Sequence, residues 1–507
     1  MSDSLSGSFV PTIDFTQIPP AGSLLVPGVY IEIGVNYSNI GILPFPARAL
    51  AIGVMLTSGG ATPGTIYSIT QKTQAVQLFG AGSPLSEQIA YFLAGNPGIP
   101  IDAVGLEATG TAAAGSVTFG GTVNFNGTQA FGLAGFRIPV VLTTGMTAAQ
   151  MATAFVAAAA SIYNAQNLPV SLATNATAGQ VAITALFPGV AGNELDLRIN
   201  PAQGDQSVPG VTMAIVPIGT GTVGAGVASI AAVLTAIATT WYTDILIGLN
   251  DSVSLAALQT ALTSRYTAMQ NVDSHAYVAW KGTQGQLDAD IAGLDCPFIS
   301  VMGVTNPQDP TWRWSAALAG VAAAALMADP ARQLRGLALP NIIAPAPADR
   351  MFEPEQNALL EVGIATWLVA PDGTVIIQRL VTSYTTSPLG VPDGAWRDIM
   401  TPKVMTRIRY DWKNYLLLNW PQAKLAPDGS LAAEYDSSVA TPKRIQASWA
   451  ARCTLYARAG WIENEAATIA ASVFSIDPND KNRLNSQRQV QVIGNLMIDA
   501  EQLLFAA

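Results

Sequence analysis

Apolar and polar positions recur at two periods along this chain, and the places where the period changes divide it. The stretch 29–105 alternates strand-like apolar runs at 29–33, 49–55 and 101–106 with a helix-spaced segment at 84–93, the opening of an α/β layer. From 107 to 218 the residues become small, rich in Gly and Thr, and alternate in runs such as Ser116-Val-Thr-Phe119 and Thr122-Val-Asn-Phe125. One helix is expected there at 148–162, capped by Thr147, with strands at 170–172, 181–186 and 195–199. Helices at 227–238, 255–269 and 286–291 then alternate with strands at 244–249, 276–280 and 298–304. A long Ala-rich helix at 314–327, a helix at 355–362 and a hairpin turning on Pro371-Asp-Gly373 follow. Beyond 391 the pattern is helical at 396–418 and 441–461 and closes in strand-like alternation at 489–499.

These elements predict a multidomain α/β chain: a mostly parallel sheet with covering helices, a β-rich inserted domain, an α-rich C-terminal domain and extended terminal arms. The expected boundaries are 1–28 for an N-terminal arm bearing Pro11, Pro19 and Pro20, 29–106 and 219–390 for the two parts of the body, and 107–218 for the insertion. The α-rich domain takes 391–485 and the closing strands 486–507. No repeat of 20–50 residues is visible, so any repetition arises by assembly.

The two ends read as strands without partners of their own. Val29, Tyr30 and Ile31 lie in the run Val26-Pro-Gly-Val-Tyr-Ile-Glu-Ile33, and Val490, Val492, Leu496 and Ile498 lie in the closing one. Such terminal strands are expected to add to a sheet, and in an assembling protein that sheet belongs to a neighbour.

Composition favours the same picture. Half of the 507 residues are hydrophobic and only 11% are charged, against roughly a quarter in ordinary soluble domains, so much of the surface is expected to be covered by partners. A net charge of −10 argues against nucleic-acid binding, which needs clustered Lys and Arg. Only four of the 24 basic residues, Arg48, Lys72, Arg137 and Arg198, precede Arg265, which places charged contacts in the later half. Residues 206–243 carry no charge, but Pro209, Pro217 and the glycines of 219–226 break them, so no membrane insertion is expected. The N-terminus lacks a basic region followed by an apolar block, which points to synthesis in a bacterial cytoplasm.

Candidate chemistry is sparse. Gly219-Thr-Gly-Thr-Val-Gly224 matches a dinucleotide-binding fingerprint, with Asp251 at the end of the next strand as the ribose ligand. A nucleotide-dependent oxidoreductase is therefore the alternative function. Against it, the glycines continue to Gly226 as in a hinge, and the preceding strand belongs to the insertion. His275 is the sole histidine and Asp273 beside it cannot be assumed to orient it, so it reads as structural. Cys296 and Cys453 have no metal-ligand spacing, and Glu353 and Glu355 suit the first turn of a helix. No catalytic, cofactor-binding or metal-ligating residue is assigned, and no cofactor is expected. The constellation that favours a partner is Lys403, Arg407, Arg409 and Lys413, expected on a helix face opposite Val404, Ile408 and Trp412.

The order of several segments resembles the contractile tail sheath proteins of Mu-like bacteriophages. They are Phe15-Thr-Gln-Ile-Pro19 leading into the 26–33 run, Leu78-Phe-Gly-Ala-Gly-Ser83 followed by the amphipathic stretch 85–93, and Ala191-Gly-Asn-Glu-Leu-Asp-Leu-Arg-Ile-Asn200. The glycine run 219–226 and Val492-Ile-Gly-Asn-Leu-Met497 complete the series. The resemblance implies a non-enzymatic subunit that polymerises helically around a tail tube in the virion and contracts to drive the tube through the host envelope. It also implies an outward-facing insertion, a C-terminal domain beside the tube, and terminal strands that link subunits. Lys403, Arg407, Arg409 and Lys413 become candidate tube contacts, and the implied partners are further copies, the tail tube, the baseplate and the tail terminator.

Overall fold

The main sheet is assembled from two stretches of chain far apart in sequence. A computed structural model describes residues 41–504 except 97 and 176–178; Val29, Tyr30 and Ile31 lie outside the described residues. Strand β1 (Ala49–Met55) is buried at every position, as befits a strand covered on both faces. Then come β2 (Ile66–Ile69), α1 (Lys72–Phe79), α2 (Pro84–Gly95) and β3 (Ile101–Glu107). β3 lies parallel to β1 with Ala49 opposite Ile101, and β2 closes that edge antiparallel to β3. Helix α2 begins where the Ser83 hydroxyl accepts from the Ser86 N–H at 3.1 Å, with Pro84 at the first helical position.

The chain next leaves the sheet for β4 (Ala112–Gly121), β5 (Gly127–Leu133), β6 (Phe136–Leu142), α3 (Ala148–Gln166), β7 (Val170–Thr174), β8 (Gln180–Pro188), β9 (Leu197–Ile199) and β10 (Val211–Val216). These strands form two antiparallel sheets of their own, in the orders β10-β4-β8-β7 and β6-β5-β9. Alternate residues of β4 and β8 point inward. Phe119, Phe131 and Phe155 meet there, with ring centroids 4.5–6.0 Å apart.

The return follows α4 (Ala231–Ala236), β11 (Asp244–Ile247), α5 (Ser252–Tyr266), β12 (His275–Lys281), α6 (Gln284–Ile291), β13 (Ile299–Val304), α7 (Thr311–Ala328), α8 (Glu353–Glu361), β14 (Ile364–Val369) and β15 (Val375–Arg379). The completed sheet has the order β15-β14-β13-β12-β11-β1-β3-β2, with six parallel strands between two antiparallel edges. The α/β expectation holds at this level. Helix α7 crosses α2 so closely that a Cβ at Gly320 would stand 2.6 Å from the Phe92 carbonyl oxygen, a contact only glycine permits.

A final unit carries α9 (Met400–Asn419), α10 (Leu431–Tyr435), α11 (Pro442–Arg458), α12 (Glu465–Ala470) and the hairpin β16 (Val473–Ile476) and β17 (Leu484–Gln487). Its core joins Trp412, Trp449, Tyr456 and Trp461. Two expectations fail locally. The helix expected at 227–238 shortens to α4, because its first residues continue the glycine linker. The closing stretch 489–499 forms no strand of its own, since only Val492 makes a bridge, antiparallel to Ile462.

Buried charge ties the insertion to the sheet. Arg313 on α7 donates twice to Glu87 on α2, at 3.0 and 2.7 Å, and once to Asp309 at 2.8 Å. Its guanidinium lies 4.7 Å from the Phe136 ring on β6. The insertion covers the carboxyl ends of the parallel strands: Phe187 meets Trp312 edge-on at 5.9 Å, and Arg198 donates to the Asn306 carbonyl at 3.2 Å. That end is where open α/β sheets hold ligands, and here it is occupied by protein.

Candidate subunit-linking surfaces

Helix α9 has an apolar stripe of Val404, Ile408, Trp412 and Tyr415 facing the final core, as the spacing predicts. Three of the four cations on its other face are engaged within the chain. Lys403 reaches Asp244 at the start of β11, with Nζ 2.6 Å from Oδ1, and also donates to the Thr243 carbonyl at 3.2 Å. Arg409 pairs with Asp273 at 2.8 Å and lies 4.2 Å from the Tyr266 ring. Arg407 stacks on Phe45 at 4.5 Å and donates to the Met327 carbonyl at 3.2 Å. The expectation of a free cationic face is corrected for these three: Asp244 and Asp273 precede or open parallel strands, and α9 docks its cations on that end of the sheet. Lys413 alone of the four is exposed. Burial pushes the Asp273 carboxyl up while Arg409 opposes it.

The same unit holds the point where the described chain begins. The Leu43 N–H donates to Asp411 at 2.9 Å, and Arg452, which donates from Nε to Asp411 at 2.9 Å, reaches the Gly41 carbonyl at 3.3 Å. Sequence reading missed this buried pair. Its signal was a lone Asp and a lone Arg on the inward stripes of two helices.

At the other end, Val490 and Val492 pack on the final core, and the Glu463 and Ile493 N–H groups donate to Gln491 and Trp461 carbonyls at 3.1 Å. The chain then runs on outside any helix or strand, with Met497 beside Gln333 and Arg335. Leu496 and Ile498 are each 79% exposed, Leu503 95% and Leu504 79%. Among the described residues, no backbone N–H from 494 to 504 has a main-chain partner.

The glycine run is not a phosphate cradle. The Gly219 and Thr222 N–H groups donate to the Ala114 carbonyl at 3.3 and 3.0 Å, and Gly224 N–H donates to the Asn193 side chain at 2.7 Å. Thr111 and Ala225 bridge antiparallel, so the outgoing and returning linkers zip together. Gly226 has φ +103°, and a Cβ there would meet the Thr109 carbonyl oxygen at 2.0 Å. Asp251 caps α5, accepting from Ser254 N–H at 2.9 Å. His275 is buried on β12 with Nε2 2.9 Å from the Ser300 hydroxyl, and burial together with Lys403 holds its pKa well below the ordinary value. It is a neutral structural residue. Among the described residues no cluster of three His, Cys, Asp or Glu is placed to hold a metal, and no helix is long and apolar enough to cross a membrane.

Compared with known proteins, the chain is 27% identical over 496 residues to the Mu-like prophage FluMu tail sheath protein of Haemophilus influenzae, covering 97% of this chain and 99% of that protein. Over nearly its whole length the chain is thus similar to a Mu-like tail sheath protein. No family model matches it. Among solved structures it is similar to a sheath tail protein from Desulfitobacterium hafniense, 13% identical with TM-score 0.47 over 92% of this chain and all of that one. It is also similar to the anti-feeding prophage sheath in its contracted state, 13% identical with TM-score 0.46 over 95% of this chain and 99% of that one. The sequence match, and not the structural likeness, carries the comparison. The oxidoreductase alternative finds no support in the glycine run.

Proposed function

We propose that this chain is the repeating structural subunit of a contractile phage tail sheath. Copies stack helically around an inner tail tube, attach to a baseplate at one end and a terminator at the other, and contract to drive the tube through the host envelope. The observation that carries this reading is the similarity to a tail sheath protein along 496 residues, 97% of the chain. The tail, which has no main-chain N–H partner among the described residues and exposes Leu496 and Ile498, supports a linking role. So does the anchoring of Gly41 and Leu43 on the same helical unit, which gives the N-terminal arm, with Val29, Tyr30 and Ile31, a fixed root. Strand addition uses main-chain hydrogen bonds and makes few side-chain demands, so linked bodies keep their connection as they rotate.

The work of contraction comes from the assembly. At ~25 cal/mol per Å² of apolar surface, a few hundred Å² newly buried per subunit supplies several kcal/mol before opposing costs. The test is negative-stain electron microscopy of the purified protein across a range of salt, alone and with a tail tube. Hollow tubes of uniform width are expected. Dispersed particles under every condition contradict the reading.

A further inference from the structure

A cavity of 30 Å³ lies where α9 docks on the sheet, walled by Phe45, Phe298 and Leu326 and bordered by Lys403, Thr406 and Arg407 of α9. Its polar lining is unevenly satisfied. Lys403 is spent on Asp244 and the Thr243 carbonyl. Asp273, the one carboxylate in the lining among the described residues, accepts from Arg409 at 2.8 Å and from the Thr406 hydroxyl at 2.9 Å. Arg407 is different. Its Nη2 donates to the Met327 carbonyl, but Nε and Nη1 are buried with no hydrogen-bond partner among the described residues. His275 lines the same cavity at 3% exposure, and its Nδ1 is likewise buried without a partner. An unmade bond on a buried charged donor is costly, and native interiors resolve such a group with a water or an ion.

Charge decides between the two. At this docking surface three cations, Lys403, Arg407 and Arg409, meet two carboxylates, Asp244 and Asp273, which leaves one positive charge in excess. Asp411 is taken up by Arg452, and Asp329 accepts from the Ala331 N–H; neither forms an ion pair with Arg407 among the described residues. Burial accordingly pulls the Arg407 guanidinium below its ordinary pKa, against the fields of Asp411, Tyr410 and Asp329. Size narrows the anion. One water needs roughly 10–15 Å³ of such space, so the cavity takes one or two water-sized bodies and no tetrahedral oxyanion. His275 Nε2 lies 2.9 Å from the Ser300 hydroxyl; with that hydroxyl donating, the ring proton sits on Nδ1 and makes it a donor into the cavity. We propose that the cavity is a site for a single halide, chloride under ordinary conditions, held by the free N–H groups of Arg407 and by His275 Nδ1–H. The halide balances the charge of the docking surface and fastens the helical unit to the sheet. This inference stands apart from the sheath reading, since the site lies within one chain.

The test is thermal melting of the full-length chain as sodium chloride or sodium bromide replaces sodium gluconate at constant ionic strength. A saturable rise of about 2 °C is expected, the size that a ligand at about tenfold above its Kd confers on a chain this long. Arg407→Gln, which removes the excess charge, is expected to flatten the halide curve, whereas Lys443→Gln, at an exposed cation of α11, leaves it as it was. Melting indifferent to halide, or a rise kept in full by Arg407→Gln, overturns the proposal and leaves the cavity to water. Anomalous diffraction from wild-type crystals soaked in sodium bromide locates the ion without any variant, so the proposal stays open to refutation even where Arg407→Gln does not fold. A bromide peak within reach of Arg407 and His275 is expected, and bromide confined to the outer surface overturns the assignment.

Discussion

Helix α7 and the tail after Gly494 are both apolar segments, and the fold treats them oppositely. Fourteen of the eighteen residues of α7 are buried, including Arg313, whose charge is met by Glu87 and Asp309. The tail keeps Leu496, Ile498, Leu503 and Leu504 in solvent, and among the described residues none of its N–H groups has a main-chain partner. Burial of several such side chains is worth several kcal/mol, and a subunit that folded for itself alone would fold them inward. The difference separates two uses of apolar surface: α7 stabilises the body, and on the proposed reading the tail is held for a neighbour.

The comparison breaks most visibly at Arg313. Arg313→Met leaves Glu87 and Asp309 buried without a cation, and a loss of about 3–5 kcal/mol is expected in denaturant unfolding of the isolated subunit. A stability within about 1 kcal/mol of wild type would mean that the buried triad does not hold α7 as described. At the interface of α9 with the sheet, Lys403→Met strands Asp244, which among the described residues then keeps the Tyr277 and Thr243 hydroxyls as donors at 2.9 and 2.7 Å. A smaller loss, about 2 kcal/mol, is expected by the same measurement.

The smallest effect concerns pH. Glu194, in the insertion, is half-buried with its carboxylate turned inward, accepts from Asn250 at 3.3 Å, and has its carboxyl pushed up first by desolvation, with Lys281 opposing. A raised carboxyl favours the folded state below its unfolded pKa, and that contribution fades as pH rises through the folded value. Glu194→Gln keeps the accepting oxygen and removes the charge. The variant is expected to melt about 2 °C higher near pH 8, with the gain vanishing toward pH 4. A gain that grows on acidification would reverse the sign of the account.

The parallel sheet was legible because its strands are continuous apolar runs: the run at 49–55 coincides with β1, and Pro371-Asp-Gly373 does form the turn between β14 and β15, with Gly373 N–H donating to the Ala370 carbonyl at 2.9 Å. The destiny of the α9 cations was not legible. Helical spacing places Lys403 and Arg409 opposite the apolar stripe, but it says nothing of Asp244 and Asp273, which lie well over a hundred residues earlier. The tail misled in another way. Its period-2 pattern described a strand correctly as a tendency, yet a strand needs a second one, and among the described residues only Ile462 offers a bridge.

Deleting residues 494–507 and following both thermal stability and assembly tests the separation of these two uses most directly. Since Val490 and Val492 remain on the final core, the truncated subunit is predicted to melt within about 2 °C of the full chain and to form no tubes by electron microscopy. Normal tubes from the truncation, or a subunit that no longer folds, would contradict the claim that the tail is held for a neighbour.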